Sequence, residues 1–161
     1  HTAFNMKTLS LRLSNVYGPS GRADSFNKVV LNKIIFNAIK NKKIQLFNNK
    51  NNKRDFVFID DVVDALLYTS NLKDEEFNGQ HFVIGSEEKS SFKDISTRLK
   101  KINNIEIIDN LLGSMNFAEF RDFVSDSSLF QKKTKWKIKN KLREGISKTI
   151  KYFNKNYKYL K

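Results

Sequence analysis

The stretch RDFVFIDDVVDAL, Arg54 to Leu66, carries the clearest structural signal in the chain. Its first half, Asp55 to Ile59, is a run of aromatic and β-branched residues that suits a buried strand. Its second half opens VVDALLYTSN, with apolar positions at helical spacing. Asp60 or Asp61 is expected as the N-cap, its carboxylate accepting the first unpaired amide hydrogens. A strand running directly into a helix is the building element of α/β folds.

The same alternation extends in both directions. Upstream, Lys7 to Leu13 (KTLSLRL) reads as a strand that ends in Asn-Val-Tyr-Gly-Pro, a turn signal. Phe26 to about Lys42 reads as a helix, Ile44 to Phe47 as a short strand, and NNKNNK as a polar loop. Downstream, HFVIG after Asn78-Gly79 is a short strand, and Ser90 or Ser91 caps the helix FKDISTRLKKI. Ile105 to Ile108 is one more strand, Asp126 caps SSLFQKKT, and Leu142 to Tyr159 keeps apolar residues at steps of three and four. There is no internal repeat and no linker rich in Pro, Gly or Ser, so residues 1–161 read as one α/β unit with a parallel sheet. The strands are few and the first has no helix before it, so the chain is expected to start partway through a fold.

Composition narrows the function. With 39% hydrophobic and 12% aromatic residues among 161, the chain can bury a core. No apolar run approaches the roughly 20 residues that span a bilayer. The absence of Cys removes disulfides, thiolate metal sites and cysteine nucleophiles, and two His are too few for a histidine-built metal site. A soluble protein of the cytoplasm is expected. The net charge of +13 is local: residues 1–130 contribute +2 and residues 131–161 contribute +11. Helical spacing in that last segment favours a solvated face; the other reading is a surface that attracts anions or membranes. Near-balanced charge elsewhere argues against a nucleic-acid-binding module.

Three stretches together resemble the extended short-chain dehydrogenase/reductase family, the NAD-dependent nucleotide-sugar epimerases and dehydratases. They are LRLSNVYGP (Leu11 to Pro19), RDFVFIDDVVDAL preceded by IQLF (Ile44 to Phe47), and RDFVSDSSLFQKKTKW (Arg121 to Trp136) followed by LREGISKTIKYF. Their order and spacing match the C-terminal half of such enzymes over nearly the whole chain. The resemblance implies late parallel strands of a Rossmann-type sheet plus a small α/β substrate-binding lobe. The family's glycine-rich dinucleotide loop is absent from these residues. Its catalytic Tyr-x-x-x-Lys precedes the strand matched by Lys7 to Leu13. Tyr157 and Lys161 have that spacing but lie at the opposite end of the chain, so no catalytic residue is expected here.

The resemblance also implies site residues. Arg54 falls where the family binds the substrate's pyrophosphate, a task suited to a planar guanidinium fork. The bland alternative is a surface pairing with Asp55. Phe47 falls where a ring or nearby backbone lies against the nucleotide's pyrimidine. Asn15 follows a strand's C-terminal end, where open α/β sheets place ligands, and matches an Asn that holds sugar or phosphate. Leu13 and Ser14 fall where relatives line the nicotinamide of NAD or NADP. Lys28 matches a looser contact to the nucleotide sugar, and Arg121 is a second candidate clamp on the diphosphate. Asp60, Asp61 and Asp64 suggest helix capping and a solvated face rather than a metal site. Two departures stand out: Val83 replaces a common Asn, and Asn48 to Lys53 replaces a usual Gly-Asp-Gly. The expected partners are a nucleoside-diphosphate sugar and either the absent N-terminal half or a second copy. The expected role is in carbohydrate or cell-surface polysaccharide synthesis, with a non-catalytic subunit of a split enzyme as the alternative.

Overall fold

In the computed structural model, residues 3–20, 29–73, 78–102, 104–109 and 122–156 are described. Strands and helices interleave, but Asn15–Tyr17, read from sequence as part of a turn, is itself a strand. β1 (Thr8–Leu13) and β2 (Asn15–Tyr17) are separated by Ser14 alone. α1 (Val30–Lys40), β3 (Lys43–Leu46) and a 3-10 turn (Asn48–Asn51) lead to β4 (Arg54–Phe58) and α2 (Ile59–Ser70). β5 (Asn78–Ile84), the two-residue β6 (Lys89–Ser90), α3 (Phe92–Ile102) and β7 (Glu106–Asp109) follow. α4 (Ser128–Thr134) and α5 (Leu142–Asn156) complete the order.

Among the described residues the strands form three small sheets. β1 pairs with β5 in parallel, β3 with β7 in parallel, and β4 sits between parallel β2 and antiparallel β6. Parallel pairing requires both faces covered, and β4 meets that requirement: Asp55 through Phe58 are all buried. Around it lies the larger core, in which Tyr17, Ile35, Ile44, Phe58, Ile95 and Phe153 are fully enclosed. A second cluster packs Phe82 and Ile84 of β5 against Ala65, Phe130 and Trp136. Among the described residues, β1 pairs with no strand besides β5.

The helix ends answer the capping expectations differently. Ser91 and Asp94 form a reciprocal capping box at α3, Ser91 Oγ accepting from Asp94 N at 3.1 Å and Asp94 Oδ2 accepting from Ser91 N at 3.0 Å. At α2 the expectation fails. Phe58 is the N-cap position, Asp60 and Asp61 lie in the first turn, and no side chain caps the end. The fully buried Asp61 instead accepts from Lys139 N (2.9 Å), Asn140 N (3.2 Å) and Asn140 Nδ2 (3.2 Å). Asp60 and Asp64 meet Lys148 and Lys139 at the surface. Asp126 is displaced from the expected cap as well: Ser127 holds the N-cap position, and Asp126 accepts from the N of Ser128, the first residue of α4, at 2.9 Å.

The basic segment is divided by its packing. In α5, Leu142, Ile146, Thr149 and Phe153 face inward, while Lys148, Lys151 and Lys155 are exposed, which is the solvated-face pattern. Before it, Trp136 and Asn140 are buried, while Lys135, Lys137, Lys139 and Lys141 are exposed. Burial of the alternate residues is secured by Asp61, whose backbone oxygen also accepts from Trp136 Nε1 at 3.2 Å.

Candidate functional site

Three chain segments meet at the start of β4. The end of β1 arrives with Ser14 and Asn15, the loop after β5 with Ser86 and Glu87, and the segment before α4 with residues 122–125. Their meeting point is Asp55, the residue after Arg54. It is fully buried. Its Oδ1 accepts from Ser86 N (2.8 Å) and Ser86 Oγ (2.6 Å). Its Oδ2 accepts from Glu87 N (3.1 Å), Ser125 N (3.2 Å) and Ser125 Oγ. Its backbone oxygen accepts from Ser14 Oγ (3.0 Å) and Asn15 Nδ2 (2.9 Å). The surface Arg54–Asp55 pairing weighed from sequence is therefore overturned for Asp55, whose carboxylate turns inward.

Alternation along the strand gives Arg54 the opposite situation. It is half-buried at the first position of β4, opposite Ser90. Directly before it, Lys53 N donates to Asp122 Oδ1 at 2.7 Å and Lys53 O accepts from Phe123 N at 2.9 Å. The segment following Arg121 in sequence is thereby laid beside the residue preceding Arg54. Arg121 itself, like Lys28, lies outside the described residues. Lys53 also reaches Asp94 Oδ2 at 2.7 Å, and this contact, with the Ser91 amide, lowers the Asp94 carboxyl to about 2.

Phe47 lies just after β3 rather than within it, and it is 42% exposed. An ordinary core phenylalanine would be enclosed, so its ring remains available for stacking. Asn15 is exposed at the first position of β2, with one amide hydrogen committed to Asp55. Leu13, at the C-terminal end of β1, is 44% exposed. The Ser14 hydroxyl donates to the Asp55 backbone oxygen. Val83 lies opposite Arg12 in the β1–β5 register and is half-buried.

Two other features contrast with this meeting point. A cleft of about 600 Å³ is lined by Ser86, Glu87, Glu88, Ile138, Lys139, Lys141 and Glu144. Its carboxylates are committed to structure: Glu87 to Ser127 N, Glu88 to Leu142 N and Glu144 to Lys141 N. None of the residues expected from sequence lines it. Tyr17 is buried and donates to Leu142 O at 3.2 Å, and burial raises its phenol well above the ordinary value. It acts as a core anchor rather than a base.

The sequence reading missed Asp55, Ser86, Ser125 and Gly85 as parts of the site. Gly85 is where β5 ends, and a Cβ there would come within 2.5 Å of Asp55 Oδ2 and 2.8 Å of Ser125 Cβ. The available signals were the Asp that follows Arg54 and a Gly that closes a strand.

Parallel strands interleaved with helices, their ends gathered by a buried carboxylate, make an α/β arrangement of the Rossmann-like kind. Comparison with known proteins agrees. The model of the NAD dependent epimerase/dehydratase family matches residues 1–85, and the chain belongs to that family. The dTDP-4-dehydro-6-deoxyglucose reductase of Escherichia coli is 31% identical over 158 residues, covering 91% of this chain and 45% of that protein. The UDP-glucuronic acid 4-epimerase of Bacillus cereus, solved with UDP-glucuronic acid and NAD, superposes with a TM-score of 0.82 at 25% identity, covering 98% of this chain and 48% of that one. The UDP-glucose 4-epimerase of Thermotoga maritima, solved with UDP-glucose, shares the fold with a TM-score of 0.83 at 24% identity, over 97% and 48%. The chain thus spans about half the length of the relatives it matches. Among the described residues, no helix is long and apolar enough to cross a membrane.

Proposed function

We propose that the protein carrying this chain is an NAD(P)-dependent nucleotide-sugar epimerase or dehydratase, and that residues 1–161 form its substrate-gripping half. The observation that carries the reading is the gathering of Asn15, Arg54 and the segment after Arg121 around Asp55. Arg54 would hold the diphosphate through paired charge-assisted hydrogen bonds, Asn15 the sugar or phosphate, and Phe47 the base. Lys28 and Arg121 remain further candidates for the nucleotide sugar. Leu13 and Ser14 would border the nicotinamide. NAD, when bound, supplies the hydride acceptor and donor for transient oxidation of a sugar hydroxyl. This chain's residues supply orientation and binding energy, and the proton-transferring tyrosine lies outside them. A role in carbohydrate or cell-surface polysaccharide synthesis follows from that reaction class.

Calorimetric titration of the full-length protein with UDP, dTDP and the corresponding nucleosides tests the grip. The diphosphate should supply most of the affinity; nucleosides that bind as tightly as their diphosphates would remove the basis of this reading. The 161-residue chain alone, mixed with NAD and nucleotide sugars, should give no turnover.

A further inference from the structure

The reading of Arg54 and Asn15 as ligand contacts leaves Asp55 without a task, although it is the most heavily engaged side chain at the site. Five donors converge on its carboxylate, and none of the five is charged. Three of them are backbone N–H groups, which donate and cannot accept. Ser86 N lies on one oxygen, while Glu87 N and Ser125 N lie on the other. Both oxygens must therefore be acceptors. An asparagine would turn its amide nitrogen toward a backbone donor in either orientation. The position demands a carboxylate, not merely a polar group of that shape.

The anchored segments are the ones that bear on the ligand. Ser125 is fixed three residues after Asp122, which holds Lys53 N. Ser86 and Glu87 are fixed directly after Gly85, where β5 ends beside β1. The Asp55 carbonyl holds Ser14 and Asn15 where β1 passes into β2. Arg54 is the adjoining residue on the same strand. A shift in the carboxylate would move residues 122–125 relative to Arg54, and a shift in the strand would carry Asn15 with it.

We propose that Asp55 is the positioning residue of the substrate grip: its buried carboxylate sets residues 122–125 and the loop after β5 in register with Arg54, while its backbone oxygen holds Asn15, for a nucleoside diphosphate. This rests on the nucleotide-sugar reading above and adds a residue that touches no ligand itself. Loss of the register should weaken diphosphate binding beyond any loss of stability, because misplacing a paired hydrogen-bond fork forfeits the fork.

The test uses the full-length protein, with UDP as the probe and calorimetry well below the melting temperature. Asp55→Asn should weaken UDP at least tenfold, and Ser125→Ala and Ser86→Ala should each weaken it several-fold. Ser125→Ala keeps the assay available if Asp55→Asn does not fold. Phe153→Leu, a core change in α5, serves as the stability control and should lower the melting temperature with UDP affinity within twofold of the parent. In an Arg54→Ala background, Ser125→Ala should have little further effect, since the group it positions is gone. If Arg54→Ala weakens UDP while Asp55→Asn and Ser125→Ala leave it within twofold, the positioning role is overturned and the nucleotide-sugar reading stands. If Arg54→Ala leaves UDP binding intact, the positioning role is overturned, and if Arg121→Ala leaves it intact as well, the underlying reading falls with it.

Discussion

Replacing Arg54 should separate ligand grip from fold. The side chain is half-buried at the first position of β4, and the pairing of that position with Ser90 runs through the backbone. Arg54→Ala should therefore leave the larger core, built from Phe56, Phe58 and their neighbours, in place. What is lost is a guanidinium able to make two charge-assisted hydrogen bonds to a diphosphate, costing on the order of 2–4 kcal/mol of binding. That corresponds to roughly 30- to 900-fold in dissociation constant. Arg54→Lys should recover only part, because an ammonium keeps the charge and loses the planar fork. Calorimetry of the full-length protein with a nucleoside diphosphate reads the effect, and NAD affinity should stay unchanged in both variants. An Arg54→Ala protein that binds as tightly as the parent, beside an Arg121→Ala protein that does not, would reverse the assignment of the two arginines. No loss in either would refute the reasoning for this half of the fold.

Three further outcomes are expected. Asp61→Ala leaves the Lys139 and Asn140 amides without an acceptor and should cost about 2–4 kcal/mol in denaturant unfolding, with the m-value unchanged. Asp94 has its carboxyl lowered to about 2, first by Lys53, so its contribution is full above the ordinary value of 3.8 and lost as pH falls through about 2. The melting-temperature difference between parent and Asp94→Asn should shrink across that window, and it should be small throughout because both partners are about two-fifths exposed. The 161-residue chain alone should self-associate, since Leu13 and the α2 stripe Val63, Leu66 and Leu67 are exposed and β1 pairs with no described strand besides β5. A clean monomer at micromolar concentration in sedimentation would contradict this.

The fold was legible where periodicity is strong. Residues 54–70 and 92–102 fall into the expected strand and helices because their apolar positions alone dictate which face is buried. Arg54, Asn15 and Phe47 could be singled out because each sits in a quoted motif. Asp55 and Asp61 were misjudged for one reason: an aspartate beside a helix start or an arginine suggests a local partner. Their actual donors lie 31 to 79 residues away, at Ser86, Ser125 and Asn140. Sequence patterns report neighbours on one element, whereas burial of a carboxylate depends on which distant amides the tertiary fold delivers. β6 was missed because two residues are too short to show a period.

Those distant amides impose an order on synthesis. Asp55 and Asp61 leave the ribosome long before Ser125 and Asn140, and at about 5–20 residues per second Asn140 follows Asp61 by roughly 4–16 s. Through that interval both carboxylates remain hydrated, and β4 cannot settle into its buried place without stranding them. The nascent chain therefore carries an apolar strand, Phe56-Val57-Phe58, that must wait for its C-terminal partners. A newly made protein of this kind depends on being shielded until its last helices arrive, and a ribosome that stalls before residue 125 would leave it exposed to aggregation.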